Sequence, residues 1–337
     1  MMNATTSRQA PVTPSGAIEL SIILVNWNSL DYLSDSLRSI YRAGLTVPFE
    51  IIVVDNASTC DPTETLKATF PDVMVLLNKG NLGFARANNR GFQLASGKYL
   101  LFLNPDTEVI GSAIAVMLSH LQFLDNAGIM GCRLLNSDGS VQTSCIQRFP
   151  TILNQLVEFE SLRIRKPAWR LWGIGPLFRD NAHPMEVEAI SGACLMITRG
   201  AFEAAGQFSN EYFMYAEDID LCYKVHRMGR KVFYTSDATV IHHGGGASKW
   251  QTSRRWTTIM QRQAIMTFCR KVHGPLYSEA YRCAMAFNAV CRLILLTSLL
   301  PFRRLAERRL LYPSLSKWLG VLGWALRLQH VVINTPQ

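Results

Sequence analysis

Between Leu20 and Trp27 the chain reads LSIILVNW, an unbroken apolar run rich in Ile and Val with polar residues on either side. A half-exposed strand alternates polar and apolar side chains, whereas a run without alternation is covered on both faces, as in the parallel sheets of α/β proteins. FEIIVVD at 49–55 repeats the pattern after a helix-like stretch at 32–43; residues 73–77 and YLLFL at 99–103 continue it, with a helical segment at 84–95 between them. Strand, helix and strand at this spacing make βαβ units, so the expected fold class is α/β, with a mostly parallel sheet flanked by helices. Ligands of such sheets sit at the carboxyl ends of the strands. The polar residues that end the runs, Asn26, Asn28, Asp55, Asn104 and Asp106, are therefore the first candidates for chemistry.

After Asn136 the regularity weakens. Residues 137–185 hold few regular runs and include the Arg-, Trp- and Pro-rich stretch 163–176. Residues 186–198 predict a strand pair or one long strand, and 231–234 and 238–242 predict two short strands. A helix is expected over 216–228, closed by Gly229.

The eight cysteines are scattered, with no C-x-x-C pair, which speaks against a disulfide framework or a zinc cluster and suits a reducing compartment. Residues 1–18 are polar, with Pro and Ser and no apolar segment, so a flexible N-terminus and a cytoplasmic body are expected. The net charge of +9 is concentrated at the other end: from Ala280 onward there are seven arginines and one lysine against Glu307 alone. A uniformly basic surface would suit nucleic acid. A basic tail suits an anionic membrane surface instead, and no nucleic-acid partner is expected. Residues 284–302 are apolar apart from Asn288, Arg292 and a few hydroxyls, and Arg303, Arg304, Arg308 and Arg309 follow. An in-plane anchor, a packed soluble helix and a membrane span are all compatible with that composition, although an arginine near the middle penalises a span.

Four clusters carry potential chemistry: Asp55 in VVDNAS, Asn104 to Asp106 in FLNPDTE, the acids Glu217, Asp218 and Asp220, and His242–His243 before three glycines. Singly, each has an ordinary structural reading. An Asp after a strand caps turns, Asn-Pro-Asp is a turn signature, and acids suit the first turn of a helix. Jointly they place strand-end acids where a parallel sheet presents ligands, with an acid cluster and a histidine downstream.

The ordered set VNWN, VVDNAS, NKGNLGFARANNRG, FLNPDTE, SGACLMITR, EYFMYAEDIDLCYKVHRMG and HHGG, spanning about residues 20–245, resembles family 2 glycosyltransferases, in their rhamnosyltransferase-like subgroup. The resemblance implies a GT-A fold and transfer of one sugar from a nucleoside-diphosphate donor with inversion at the anomeric carbon. It divides the chain into a nucleotide-sugar-binding half (19–136), an acceptor and catalytic half (137–278), and a helical, membrane-associating tail (279–337). By its motifs Asp218 is the general base, with Glu217 as nearest competitor, and Asp106 and His242 are ligands of a Mg²⁺ or Mn²⁺ ion, with His243 as the rival histidine. Asn104 stands where the family's D-x-D element has its first acid, so one carboxylate is lost from the metal pattern, and Asn104 is expected on the nucleotide instead, hydrogen-bonding a ribose hydroxyl. Asp55 matches the residue that accepts a hydrogen bond from the nucleotide base. Residues 81–91 put glycines and asparagines ahead of a helix start with Arg86 one turn in, so Asn81, Arg86 and the backbone amides there are candidates for contacting nucleotide phosphate or base, with an ordinary capped loop as the alternative.

The subgroup points to L-rhamnose from dTDP-rhamnose as donor and a lipid-linked or cell-surface glycan precursor as acceptor, at the inner face of the cell membrane. Galactofuranosyl, glucosyl and N-acetylglucosaminyl transfer stay open. The segment QTSRRW at 251–256 is one residue longer than the Q-x-x-R-W element of processive synthases, which also carry several membrane spans. Two other classes compete. A sugar-phosphate nucleotidyltransferase would place a Gly-rich, Arg-containing loop after the first strand, where this chain has NWNSLDY. A non-catalytic glycan- or nucleotide-binding scaffold would be expected to lack the base or the metal ligands. Oligomeric state is not legible.

Overall fold

The computed structural model describes residues 17–157, 165, 169, 172–179, 183–244, 254–299 and 305–329. Strand β1 (Leu20–Asn26) is buried along its whole length, as its unbroken apolar run requires. It pairs in parallel with β2 (Phe49–Asp55) on one side and β4 (Tyr99–Leu103) on the other, and β2 pairs in parallel with β3 (Met74–Leu77). Leu20, Ile22, Ile23 and Leu24 are fully buried, each contributing roughly 1.5–3 kcal/mol by leaving water. Helices α1 (Leu30–Arg42), α2 (Thr63–Thr69) and α3 (Phe84–Phe92) make the crossovers. The core stripe of α1 is Leu33, Leu37 and Ile40, at the i, i+4, i+7 spacing of one helix face.

Beyond β4 the sheet turns mixed. Its order is β3-β2-β1-β4-β10-β6-β11-β5, where β5 is Thr107–Ile110, β6 Ala127–Leu135, β10 Cys194–Thr198 and β11 Lys231–His242. Strand β10 lies antiparallel between β4 and β6, and β5 antiparallel against β11. Helix α4 (Ala113–Phe123) packs Ile114, Met117, Leu118 and Leu121 into the core. The short strand β8 (Met185–Glu186) adds to β11, while β7 (Ile146–Gln147) and β9 (Ala189–Ile190) form a separate two-stranded ribbon. The two strands expected at 231–234 and 238–242 are one, because a register shift between Thr235 and Thr239 lets the backbone pass the polar residues 236–237 while still pairing with β6.

Helices α5 (Ile152–Leu156), α6 (Arg199–Ala204) and α7 (Glu217–Arg227) complete the main body. At the C-terminal end α8 (Arg254–His273), α9 (Pro275–Leu299) and α10 (Leu305–Ala325) pack around a second core that includes Met266, Cys269, Tyr281, Met285, Trp318 and Trp324. Helix α8 joins the two cores, since its Ala264 and Phe268 belong to the main one. The division expected at 278/279 therefore falls inside α9, and the helical unit begins with α8. Among the described residues α9 is the one helix long and apolar enough to cross a membrane, yet it buries Tyr281, Met285 and Ala289 against its neighbours. The flexible segment expected at 1–18 lies outside the described residues up to 16, as do residues 245–253 with the first half of QTSRRW, and Arg303 and Arg304 of the tail.

Candidate active site

The strand order reverses at β1: β2 and β3 lie on one side of it, and β4 and its successors on the other. At such a point the loops leaving adjacent strand ends diverge and open a crevice. A cleft of about 490 Å³ lies there, lined from the strand ends by Val25, Trp27, Asn56, Asn104, Asp106 and His242. Glu217 and Asp218 line it from α7, Gln155 from α5 and Arg262 from α8. Of the residues singled out in sequence, Asn81, Asn104, Asp106, Glu217, Asp218 and His242 line this one cleft, and Asn26, Asn28, Asp55, Arg86, Asp220 and His243 do not.

Asp55 lies 3% exposed at the end of β2, in register with Asn26 at the end of β1. Its Oδ1 accepts hydrogen bonds from Asn26 Nδ2 at 2.8 Å and Ser58 Oγ at 2.6 Å, and its Oδ2 accepts Ser58 N–H at 2.9 Å. The carboxylate thus builds the turn after β2, and the next residue, Asn56, reaches the cleft. Asn56 Nδ2 donates to Asn81 Oδ1 at 2.8 Å, while its Oδ1 accepts from Asn78 Nδ2 at 3.0 Å and Leu82 N–H at 2.9 Å. Arg90 in turn donates to Asn78. These asparagines fix the loop that leads into α3.

Arg86 is exposed and donates from Nε to the carbonyl of Asn210 at 3.1 Å. Asn89, one turn further along α3, donates to Phe208 O at 2.8 Å and accepts Phe208 N–H at 3.1 Å. Phe84 N–H closes the clamp on Phe213 O at 2.8 Å. The side chain of Arg86 follows its helical position onto the 208–213 segment. Gly83, at φ +79°, is obligatory here because a Cβ would stand 2.2 Å from the Phe213 carbonyl oxygen. The Gly-rich stretch thereby holds the segment that carries the acids.

That segment ends in Tyr215 and Ala216, both with φ near +60–70° although neither is glycine. Conformations of this kind cost of order 1–3 kcal/mol each and collect at functional sites. They turn the chain so that Glu217 and Asp218 occupy the first turn of α7, where the helix dipole favours negative charge. Asp218 Oδ2 accepts Gly192 N–H at 2.8 Å and Oδ1 accepts Ile219 N–H at 2.8 Å. Burial pushes its carboxyl above the usual range, and these two amides partly offset the rise. Glu217 is 6% exposed with Oε2 unpartnered. Burial first, then the neighbouring Asp218 and Asp220 carboxylates, pushes its carboxyl well above the usual range. Asp220 points elsewhere, as expected two positions along a helix: Ser209 Oγ donates to it at 2.5 Å and Lys271 Nζ lies 3.0 Å away. It ties α7 to α8.

The third group is Asn104, Asp106 and His242, brought together because β5 pairs Thr107 with His242. His242 Nε2 stands 3.4 Å from Asp106 Oδ1 and 3.2 Å from Asn104 Nδ2. Gln142 accepts from His242 Nδ1 at 2.8 Å, and its own amide nitrogen donates to Asn136 Oδ1 at 2.9 Å. This pattern assigns the proton to Nδ1 and leaves the Nε2 lone pair facing Asn104 and Asp106. His243 faces away, between Glu108 Oε1 and Ser137 Oγ, each at 2.8 Å. The structure separates the two histidines that the sequence left as rivals. Asp106 and His242 present an oxygen and a nitrogen side by side, close enough to serve as neighbouring ligands of one hard divalent cation. Among the described residues no cluster of three or more His, Cys, Asp or Glu offers a complete cage. The pair therefore suits an ion that takes its remaining ligands from a diphosphate.

Sequence reasoning did not anticipate Trp27, Asn56, Gly192 or Arg262 as cleft residues. Trp27 and Asn56 follow strands whose ends had been singled out. No periodicity marks Gly192 or Arg262.

The profile described as "Glycosyl transferase family 2" matches residues 21–204. An N-acetylglucosaminyl-diphospho-decaprenol L-rhamnosyltransferase from Mycobacterium tuberculosis is 28% identical over 238 residues, covering 66% of this chain and 76% of that protein. The rhamnosyltransferase WbbL of Escherichia coli is 25% identical over 246 residues, covering 70% and 88%. Among solved structures, the mannosyltransferase PcManGT from Pyrobaculum calidifontis, in complex with GDP-Man and Mn²⁺, superposes with a TM-score of 0.55 over 93% of this chain and 87% of that one, at 17% identity. That likeness shows the fold, GT-A.

Proposed function

The chain belongs to glycosyl transferase family 2 and is a glycosyltransferase, and from that premise we propose that it transfers a single L-rhamnose from dTDP-rhamnose, with inversion, to a lipid-linked glycan precursor. The observation that carries this reading is the convergence of Asp218 with the Asp106–His242 pair in one cleft at the strand ends. The rhamnosyltransferases among its relatives support the donor, and the mycobacterial relative's lipid diphosphate supports the acceptor class.

In this reading Trp27, Asn56 and Asn81 form the nucleotide wall, with Asp55 holding its turn. Asp106 and His242 hold Mg²⁺ or Mn²⁺ with the donor diphosphate, and the ion when bound supplies a Lewis acid that neutralises charge on the departing diphosphate. Asn104 donates to His242 and takes the place of a second carboxylate. Asp218 is the general base. Its half-buried carboxylate has its two amide bonds to the backbone and accepts the proton of the acceptor hydroxyl as that oxygen attacks the anomeric carbon. Burial and the neighbouring carboxylates push the Glu217 carboxyl well above the usual range, which favours Asp218 over Glu217 as the base. The lipid acceptor and the basic tail together support a peripheral position on the inner face of the cell membrane.

Release of dTDP from dTDP-rhamnose, with a lipid-linked N-acetylglucosaminyl diphosphate acceptor and Mg²⁺ or Mn²⁺, tests the reading. Turnover of a different donor, with dTDP-rhamnose inert, would overturn the assignment of the sugar.

A further inference from the structure

The turn at 191–193 ties together the two chemical halves of the cleft, and all three of its residues line it. Ala193 O accepts the N–H of Asn104 at 2.9 Å, two positions before Asp106. Gly192 N–H donates to Asp218 Oδ2 at 2.8 Å. Ser191 is fixed from behind, its own N–H donating to Cys145 O at 2.9 Å. The Ser191 side chain is half-buried, and its Oγ accepts the N–H of Ala193 at 3.2 Å. A serine hydroxyl also carries a proton to give. Among the described residues no side chain or carbonyl takes it, so the hydroxyl stands in the cleft as a donor fixed in place by the turn.

We propose that Ser191 binds the sugar being transferred, its hydroxyl donating to one ring hydroxyl of the donor's glycosyl group as that group lies over the 191–193 turn. The inference rests on the transferase reading above and deepens it, since it names a residue that meets the sugar rather than the nucleotide. In that reading the donor diphosphate is held at Asp106 and His242, and the attacking hydroxyl at Asp218. The anomeric carbon is bonded to the first and attacked from the second, so the ring lies between them. The 191–193 turn covers that interval, because it is bonded to the strand-end loop at Asn104 and to Asp218 itself. A neutral hydroxyl suits a sugar, whose own hydroxyls accept and donate without the cost of burying a charge. A serine that served only its turn would use the lone pair that meets Ala193 N–H and nothing more. The proposal adds a use for the proton, and that use can be measured apart from the turn.

Calorimetry on the full-length protein with Mg²⁺ compares dTDP and dTDP-rhamnose as ligands of wild type and of Ser191→Ala. The variant should bind dTDP as wild type does, and dTDP-rhamnose about 2- to 10-fold more weakly, the range of one neutral hydrogen bond. Single-deoxy forms of dTDP-rhamnose, each lacking one ring hydroxyl, then locate the contact. Wild type should lose a similar factor with one of them, and with that form the variant should match wild type. Ser191→Cys, close in size but a weak donor, should behave as the Ala variant does, and it carries the test if that variant does not fold. Equal weakening for dTDP and for every sugar form would show that Ser191 only holds its turn. Unchanged binding of dTDP-rhamnose would remove it from the sugar site. Either result overturns the proposal and leaves the transferase reading intact. If wild type turns over a different donor and not dTDP-rhamnose, the rhamnose assignment falls, and the same comparison is made with that donor and its nucleoside diphosphate. A wild type that turns over no nucleotide sugar overturns both.

Discussion

The carboxylate of Asp218 rests on the backbone amide of Gly192, 2.8 Å away. This bond joins the first turn of α7 to the turn that leads into β10, so the acid is held from two elements distant in sequence. A Cβ at Gly192 would stand 3.3 Å from Asp218 Cβ, so the contact leaves little room for a larger residue. Asp218→Asn keeps the shape and removes the base, and it gives up one of the two backbone bonds because an amide NH2 cannot accept from the N–H of Gly192 or Ile219. Turnover should fall by ~10²–10⁴ with donor affinity little changed, measured as kcat and as donor binding by calorimetry. Wild-type turnover would remove Asp218 from the mechanism.

Glu217→Gln tests the buried acid next to it through stability and pH. The folded carboxyl holds its proton to a higher pH than the same group in the unfolded chain. As pH rises from the ordinary carboxyl range toward the raised folded value, the unfolded state loses its proton first, and wild-type stability falls. Gln does not ionise. The Tm of the variant minus that of wild type should therefore grow from pH 4 to pH 7, and a difference flat with pH would contradict the assignment.

The two histidines should separate under chelation and metal titration. EDTA should abolish transfer, with Mg²⁺ or Mn²⁺ restoring it. His242→Ala should raise the metal concentration needed, and Asp106→Ala should stay inactive at any concentration. His243→Ala should titrate like wild type, since His243 is engaged with Glu108 and Ser137. Full activity of wild type in EDTA would show that the enzyme works without the ion.

Gly83→Ala should cost at least about 2 kcal/mol, because the backbone there is one only glycine adopts freely and the methyl would overlap the Phe213 carbonyl. The damage should reach catalysis as well as Tm, since the same contact positions the segment before Asp218. A variant with unchanged Tm and kcat would contradict the clamp between α3 and that segment.

What the sequence disclosed follows from how each signal is written in it. Strands β1, β2 and β4 were legible because they are buried on both faces and do not alternate. Strand β5 was missed because it is four residues long and directly follows the Asn-Pro-Asp turn. Asp106, Asp218 and His242 were legible as motif positions, and the structure brings them to one cleft. Asp55 and Arg86 were legible as motif residues too, but a motif does not give a side chain's partners within the fold: Asp55 accepts from Asn26 and Ser58, and Arg86 donates to the Asn210 carbonyl. Arg262 was invisible because the face an amphipathic helix gives to a cleft depends on its packing against two cores.

The C-terminal unit carries the membrane expectation. Seven arginines and one lysine against one acid after Ala280 complement an anionic leaflet, where each contributes ~1 kcal/mol, and α9 exposes apolar side chains including Phe287 and Ile294. Full-length protein should sediment with phosphatidylglycerol-rich vesicles and be partly released by high salt. Sedimentation that salt does not affect would indicate insertion, and none at all would leave α9 as a surface for protein. Cutting at Ser278 should destabilise the remainder, because it strips Tyr281, Met285 and Trp324 from Met266 and Cys269.

The central claim, single-step inverting transfer from dTDP-rhamnose with Asp218 as base, is tested most directly by the stereochemistry of the product. Wild-type protein is incubated with dTDP-rhamnose, metal and a lipid-linked N-acetylglucosaminyl diphosphate, and the new linkage is read by NMR. The account predicts one rhamnose per acceptor, an anomeric configuration opposite to that of the donor, and stoichiometric dTDP. A product that retains the donor's configuration would contradict it, because a lone base acting on the acceptor hydroxyl gives inversion.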